Sequence, residues 1–142
     1  MTTITTSRPW IAERTAEINA AADAISALGV GDGVSVSVWT DVDAYTIIRK
    51  TASTITLRCD NAELLNRDEL HFDVGGFAAH VTGEQRYAYT PNLDGSIVKI
   101  TLRRWSDGDG NERRKWKRAG TGAHEQGGNA YAGRRKFHDY NF

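Results

Sequence analysis

Apolar residues recur every seven positions near the start of the chain and every second position through most of the rest. That change of period predicts one helix followed by strands. In PWIAERTAEINAAADAISAL, Ile11, Ile18 and Ile25 form a stripe, with Ala22 and Leu28 on nearby turns. The stretch is rich in Ala and has no internal Gly or Pro. It opens near Ser7–Pro9, a hydroxyl that can accept from free N–H groups and a proline whose missing amide hydrogen costs nothing in a first turn. Gly29 is the expected C-cap. The stripe is narrow, and two arrangements fit it equally: packing across a sheet of its own domain, or pairing with the same helix of a second subunit. Residues 1–6 read as a flexible leader.

From Gly31 the pattern becomes that of strands. GDG is a turn, and Val34, Val36 and Val38 alternate with serines. Trp39–Asp43 is expected to turn the chain, AYTIIRK to form a second strand and STITLRCD a third. Residues 61–84 are less regular: NAELLNRDEL predicts a helical turn or loop, and GGFAAH sets two glycines beside an aromatic. QRYAYT resumes the alternation, and PNLDG is turn chemistry. SIVKITLRRW then sets Val98, Ile100 and Leu102 against Ile97, Lys99 and Thr101. SDGDGN reverses the chain into ERRKWKR, and the glycines of residues 119–133 predict a mobile or ligand-shaped loop. The expected fold class is α+β, mostly β: a small antiparallel, Tudor/SH3-like sheet or barrel with an N-terminal helix and a C-terminal β-hairpin plus Gly-rich tail. Residues 1–29 form the leader and helix, a candidate oligomerisation element, and residues 30–142 a single β-rich ligand-binding domain. A chain of 142 residues fits one core of this kind.

Charge changes the picture through its distribution. The formal net charge is zero. Residues 103–136, however, hold ten Lys/Arg against four Asp/Glu, an asymmetry that points to an anionic partner or to a solvated basic hairpin. A single cysteine, Cys59, lies within an alternating run, which excludes an intrachain disulfide and fits a reducing compartment. No apolar run approaches the roughly 20 residues of a membrane span, and the start of the chain lacks a signal peptide's apolar segment. The expectation is a soluble, intracellular protein without a membrane partner.

Catalytic and metal chemistry find little support in the motifs. DGDGNE begins like a calcium loop, but the positions needing Gly and Glu are Glu112 and Arg118. His71, His80, His124 and His138 are scattered without metal-ligand spacing. No G-x-S-x-G elbow or phosphate loop occurs, and Asp41 and Asp43 read as turn formers. The expectation is therefore a binding protein with no enzyme activity, metal or cofactor. Its binding chemistry lies where arginines adjoin aromatics: Arg103, Arg104 and Trp105; Arg114, Lys115 and Trp116; Arg134, Arg135, Phe137 and Tyr140. A guanidinium forks onto phosphate oxygens, and an aromatic face stacks on a base. Trp105 and Trp116 are expected to pack across the hairpin, leaving their basic neighbours solvated.

The order GDG, WTD, AYTII, Asp60-Asn-Ala, GGFAAH, Gln85-x-Tyr-x-Tyr, Gly95, TLR and GRRKFHDYNF resembles a small bacteriophage family. Its members share a barrel-like N-terminal sheet, a GGFAxH segment and a C-terminus close to G-R-x-x-F-x-D-Y-N-F; the resemblance is to the Thoeris anti-defence sponges. It spans roughly residues 30–142 and does not include the helix. It implies a host-cytoplasmic, oligomeric (dimeric or higher) protein that sequesters a cyclic nucleotide second messenger without cleaving it, the messenger being a cyclic ADP-ribose isomer or a cyclic oligonucleotide. The ligand-binding residues it implies are Gly75, Gly76, Phe77, His80, Gln85, Arg103, Arg134, Phe137 and Tyr140, with Asp139 and Phe142 also in the tail motif. Val42-Asp43 departs from the basic or His residue that relatives often carry after the W-T-D turn. The alternative is a small β-barrel inhibitor binding nucleic acid or a host protein; a phosphodiesterase acting on the same signals is a third.

Overall fold

The structure is a computed structural model, and it describes residues 8–38, 41–66, 68, 71–75, 78–82, 85–122 and 124–138. Helix α1 runs Pro9–Ser26 with Pro9 in its first turn. Arg8, not Ser7, stands at the N-cap; Ser7 lies outside the described residues. Arg8 makes no side-chain cap of its own and instead donates its backbone N–H to Asp109 Oδ2 at 3.0 Å. At the other end the C-cap is Ala27, where Gly29 was expected. The Lys50 ammonium binds the carbonyls of Ser26 and Leu28 there, so a cation satisfies the helix's last acceptors.

Among the described residues ten strands follow: β1 Gly33–Val38, β2 Asp41–Lys50, β3 Thr54–Cys59, β4 Asn61–Leu64, β5 His71–Gly75, β6 Ala78–Thr82, β7 Tyr87–Thr90, β8 Ile97–Ser106, β9 Glu112–Arg118 and β10 Ala130–Ala132. Six form one antiparallel sheet in the order β10-β1-β2-β3-β8-β9. Its two outer strands approach each other: Lys117 and Asn129 form a bridge, and Arg118 N–H donates to Gly128 O at 2.8 Å. The sheet is thus curled almost to a closed barrel, the class of fold that the strand alternation predicts. Helix α1 packs on β9 and β10, and so it covers the seam.

The interior collects one face of every barrel strand: Val34 and Val36, Tyr45 and Ile47, Ile55 and Leu57, Val98 and Ile100, Trp116, and Ala130. Ala22 and Ile25 of α1 close the same cluster. Each fully buried aliphatic side chain contributes about 1.5–3 kcal/mol, so this shared core holds helix and sheet as one unit. Of the two arrangements open to the helical stripe, packing on its own sheet is the one observed. Its buried face is Ile11, Thr15, Ala22 and Ile25. Gly95 lets two backbones approach before β8, since a Cβ there would lie 2.1 Å from Cys59 O.

Two local expectations are corrected. Residues 61–64 are a strand rather than a helical turn, pairing with β7 from Asn61–Thr90 to Leu64–Tyr87. β5 then pairs antiparallel with β6, from His71–Thr82 to Gly75–Ala78. Trp105 and Trp116 do not pack on each other either, because positions of opposite parity on paired strands face opposite sides of the sheet. Trp116 is in the core with its indole N–H on Ser26 Oγ at 3.0 Å. Trp105 meets the His124 ring edge-on, with centroids 5.5 Å apart.

Candidate functional site

β3 begins to pair with β2 only at Tyr45, which leaves the edge of Asp41–Asp43 on that side for another segment. The C-terminal segment takes it. Val42 N–H donates to Phe137 O at 2.8 Å, and Phe137 N–H returns to Val42 O at 2.9 Å. This antiparallel bridge aligns the flanking charges: Lys136 Nζ is 2.6 Å from Asp43 Oδ1, and His138 Nδ1 is 3.6 Å from Asp41 Oδ1. Asp41 and Asp43 therefore belong to β2 and receive the tail, which corrects their reading as turn formers. Residues 39 and 40 of the expected turn lie outside the described residues.

Arg134 fixes the tail from below. Its Nε donates to Asp60 Oδ2 at 2.9 Å, and one terminal nitrogen reaches Thr46 Oγ1 at 3.0 Å and Gly31 O at 3.2 Å. Thr46 in turn donates to Asp60 Oδ1 at 2.5 Å. The Asp60 side chain is 2% exposed, so a buried carboxylate is neutralised by a cation and satisfied by two donors. The arginine stem lies across Gly33, where a Cβ would stand 2.5 Å from Arg134 Cγ. Gly133 makes the bend into this position at φ 93°, a left-handed conformation suited to glycine.

The docked tail and the strand β7 region enclose a cleft of about 550 Å³, lined by Gln85, Tyr89, Ala132, Gly133, Arg134, Arg135, Lys136 and Phe137. Gln85 is held by the tail backbone, donating to His138 O at 2.8 Å and accepting from His138 N–H at 3.1 Å. Tyr87 donates to the Gln85 oxygen at 2.6 Å. Tyr89 Oη accepts from Lys136 N–H at 2.8 Å. Arg135 has no hydrogen bond or ion pair among the described residues.

Three of the residues implied by the resemblance, Gln85, Arg134 and Phe137, thus come together in one cleft. Arg103 stands elsewhere, on β8, and donates to Thr101 Oγ1 at 2.6 Å and to the carbonyls of Thr121 at 2.6 Å and Arg118 at 3.2 Å. Gly75 pairs with Ala78, and His80 lies opposite Asp73 in the register of the β5–β6 pair. Gly76, Phe77, Asp139, Tyr140 and Phe142 lie outside the described residues. Tyr89 and Lys136 were missed. The alternation in QRYAYT could have flagged Tyr89, and an Asp-Val-Asp run facing Lys-Phe-His could have flagged Lys136.

The basic excess of residues 103–136 is largely engaged within the chain. Arg114 forks onto Asp23 with both bonds at 2.7 Å, and this holds the Asp23 carboxyl below its usual range. Arg113 Nε donates to Thr15 Oγ1 at 2.9 Å, and Arg104 pairs with Glu112 at 2.8 Å. These contacts fasten α1 to β9 and close the β8–β9 hairpin, so the expectation of solvated basic neighbours gives way to paired ones. Burial, together with the nearby Asp43 charge, pushes the half-buried Cys59 thiol up. Burial also pushes the Tyr45 hydroxyl up to about 12. Among the described residues no cluster of three or more His, Cys, Asp or Glu is placed to hold a metal ion, and no helix is long and apolar enough to cross a membrane.

Fold and cleft together define an α+β, mostly β protein: a helix-covered, nearly closed antiparallel barrel with a tail strapped across one strand edge. No protein-family model, curated protein or solved structure matches the chain.

Proposed function

We propose that this protein binds and retains a small anionic nucleotide in the tail cleft, as a sponge for a cyclic nucleotide signal of a defending host cell. One observation carries the reading. Among the described residues the cleft is lined by Arg134, Arg135 and Lys136, by the rings of Tyr89 and Phe137 and by the Gln85 amide, and by no carboxylate. Cations supply phosphate contacts, and aromatic faces supply stacking on a base. Arg134 and Lys136 already neutralise Asp60 and Asp43, so Arg135 is the charge left for ligand. The paired state of Arg104, Arg113 and Arg114 disfavours a nucleic-acid track along the β8–β9 hairpin.

The test is incubation with cyclic ADP-ribose isomers and cyclic oligonucleotides, followed by washing, heat denaturation and mass spectrometry of what is released. Intact nucleotide is expected, and Arg135→Ala should weaken binding about 10- to 100-fold, the range for losing one charge-assisted contact. Release of no nucleotide, recovery of a cleaved product, or unchanged binding by Arg135→Ala would each refute the proposal.

A further inference from the structure

A second cleft lies at the barrel seam, where the chain after β9 folds back toward the end of β1. It measures about 530 Å³, and its walls include Ser37, Arg118, Thr121, Glu125 and Gln126. The loop is shaped rather than slack. Gly127 and Gly128 adopt φ 82° and 68°. A Cβ on Gly128 would meet Thr121 Oγ1 at 2.8 Å, so glycine allows the loop to close on Thr121.

Positive charge is concentrated behind this wall. Lys117, 1% exposed, places its ammonium on the carbonyl oxygen of Glu125. Burial pulls the Lys117 ammonium below its ordinary value, with the Glu125 carboxylate opposing the shift and Arg103 adding to it. Arg103 directs its guanidinium to the carbonyls of Thr121 and Arg118. These acceptors are all neutral, so neither charge is cancelled by the bonds it makes. Arg118 is exposed on the cleft wall and has no polar side-chain partner among the described residues. Three cations therefore surround a loop whose one carboxylate is Glu125. Beside them, Asn129 donates its backbone N–H to Ser37 Oγ at 3.1 Å, while its side-chain Oδ1 is buried with no partner.

We propose that the seam cleft is a second ligand site, taking a small phosphate-bearing molecule. Arg118 contacts the phosphate, and Lys117 and Arg103 supply the field behind it. This site is distinct from the tail cleft and shares none of its lining residues.

Calorimetry on the full chain carrying Arg135→Ala tests it, because that background weakens the tail cleft about 10- to 100-fold. Adenosine 5′-monophosphate is the probe, and adenosine is the control without phosphate. Saturable binding of one monophosphate per chain is expected, with at least a tenfold loss on adding Arg118→Ala and no saturable binding of adenosine. Arg118 is exposed, so its variant should fold, as circular dichroism would verify. The proposal is overturned if the Arg135→Ala protein shows no saturable binding of the monophosphate. It is also overturned if the double variant binds as tightly, or if adenosine binds equally well.

Discussion

Arg134→Met deletes the guanidinium that donates to Asp60 Oδ2 at 2.9 Å while keeping an unbranched stem over Gly33. What remains is a carboxylate whose side chain is 2% exposed and whose described side-chain donor is then Thr46. Breaking a fully buried pair costs about 3–5 kcal/mol, because the surviving charge stays desolvated. Here the arginine side is 34% exposed, and solvent screens that half of the interaction, which brings the expected cost to about 2–3 kcal/mol. Urea unfolding followed by tryptophan fluorescence reads it, with Trp116 reporting from the core. The sharper test is the cycle with Asp60→Asn, whose neutral amide oxygen can still accept from Thr46. Arg134→Met made in that background should cost at least about 1 kcal/mol less than in the wild type. The reasoning is refuted if Arg134→Met costs under about 0.5 kcal/mol, or if the two substitutions add within about 0.3 kcal/mol.

Asp107 carries the clearest pH signature. The Thr15 hydroxyl donates to it at 2.6 Å, backbone N–H groups of Asn111 and Asp109 add to this, and its carboxyl is held down at about 2. A carboxyl depressed in the folded state contributes stability that is present above its unfolded value near 3.9 and is lost as pH falls through about 2. Thr15→Val should therefore flatten the fall of melting temperature across that window, and parallel profiles for variant and wild type would contradict it. Gly95→Ala should destabilise by about 1–3 kcal/mol or more, since its Cβ would fall 2.1 Å from a backbone oxygen that cannot retreat freely. A denaturation midpoint equal to the wild type's would show that the Cys59–Gly95 approach is not needed.

How much of this was legible in the sequence depends on which residues face the core. Val34 and Val36, Ile55 and Leu57, and Val98 and Ile100 all point into the barrel, and that is why period two stood out. β4 left a fainter trace: Ala62 and Leu64 are only half-buried, and Asn61 and Glu63 are exposed, so its alternation lacks strong apolar contrast. In α1 the polar Thr15 occupies a buried position because it bonds Asp107 and receives Arg113, while Ile18 of the heptad stripe is only half-buried. Charge was the least legible property. The partner of Arg114 is Asp23 and that of Arg134 is Asp60, each remote in sequence, so a regional sum counts cations without showing which are engaged.

The tail shows how such a sum can be resolved. Side chains alternate along an extended segment, and the bridge between Phe137 and Val42 fixes the parity here. Arg134, Lys136 and His138 fall on one parity, and they meet Asp60, Asp43 and Asp41. Arg135 and Phe137 fall on the other; Phe137 is 39% exposed, and both line the cleft. All four of Arg134–Phe137 line the cleft, but the first set is tied to carboxylates, which leaves Arg135 as the uncommitted cation for the ligand of the proposed function. Ligand contact is therefore assigned to Arg135, although the sequence resemblance singles out Arg134. The Arg134 charge is already neutralised by a buried carboxylate, whereas its neighbour's is not.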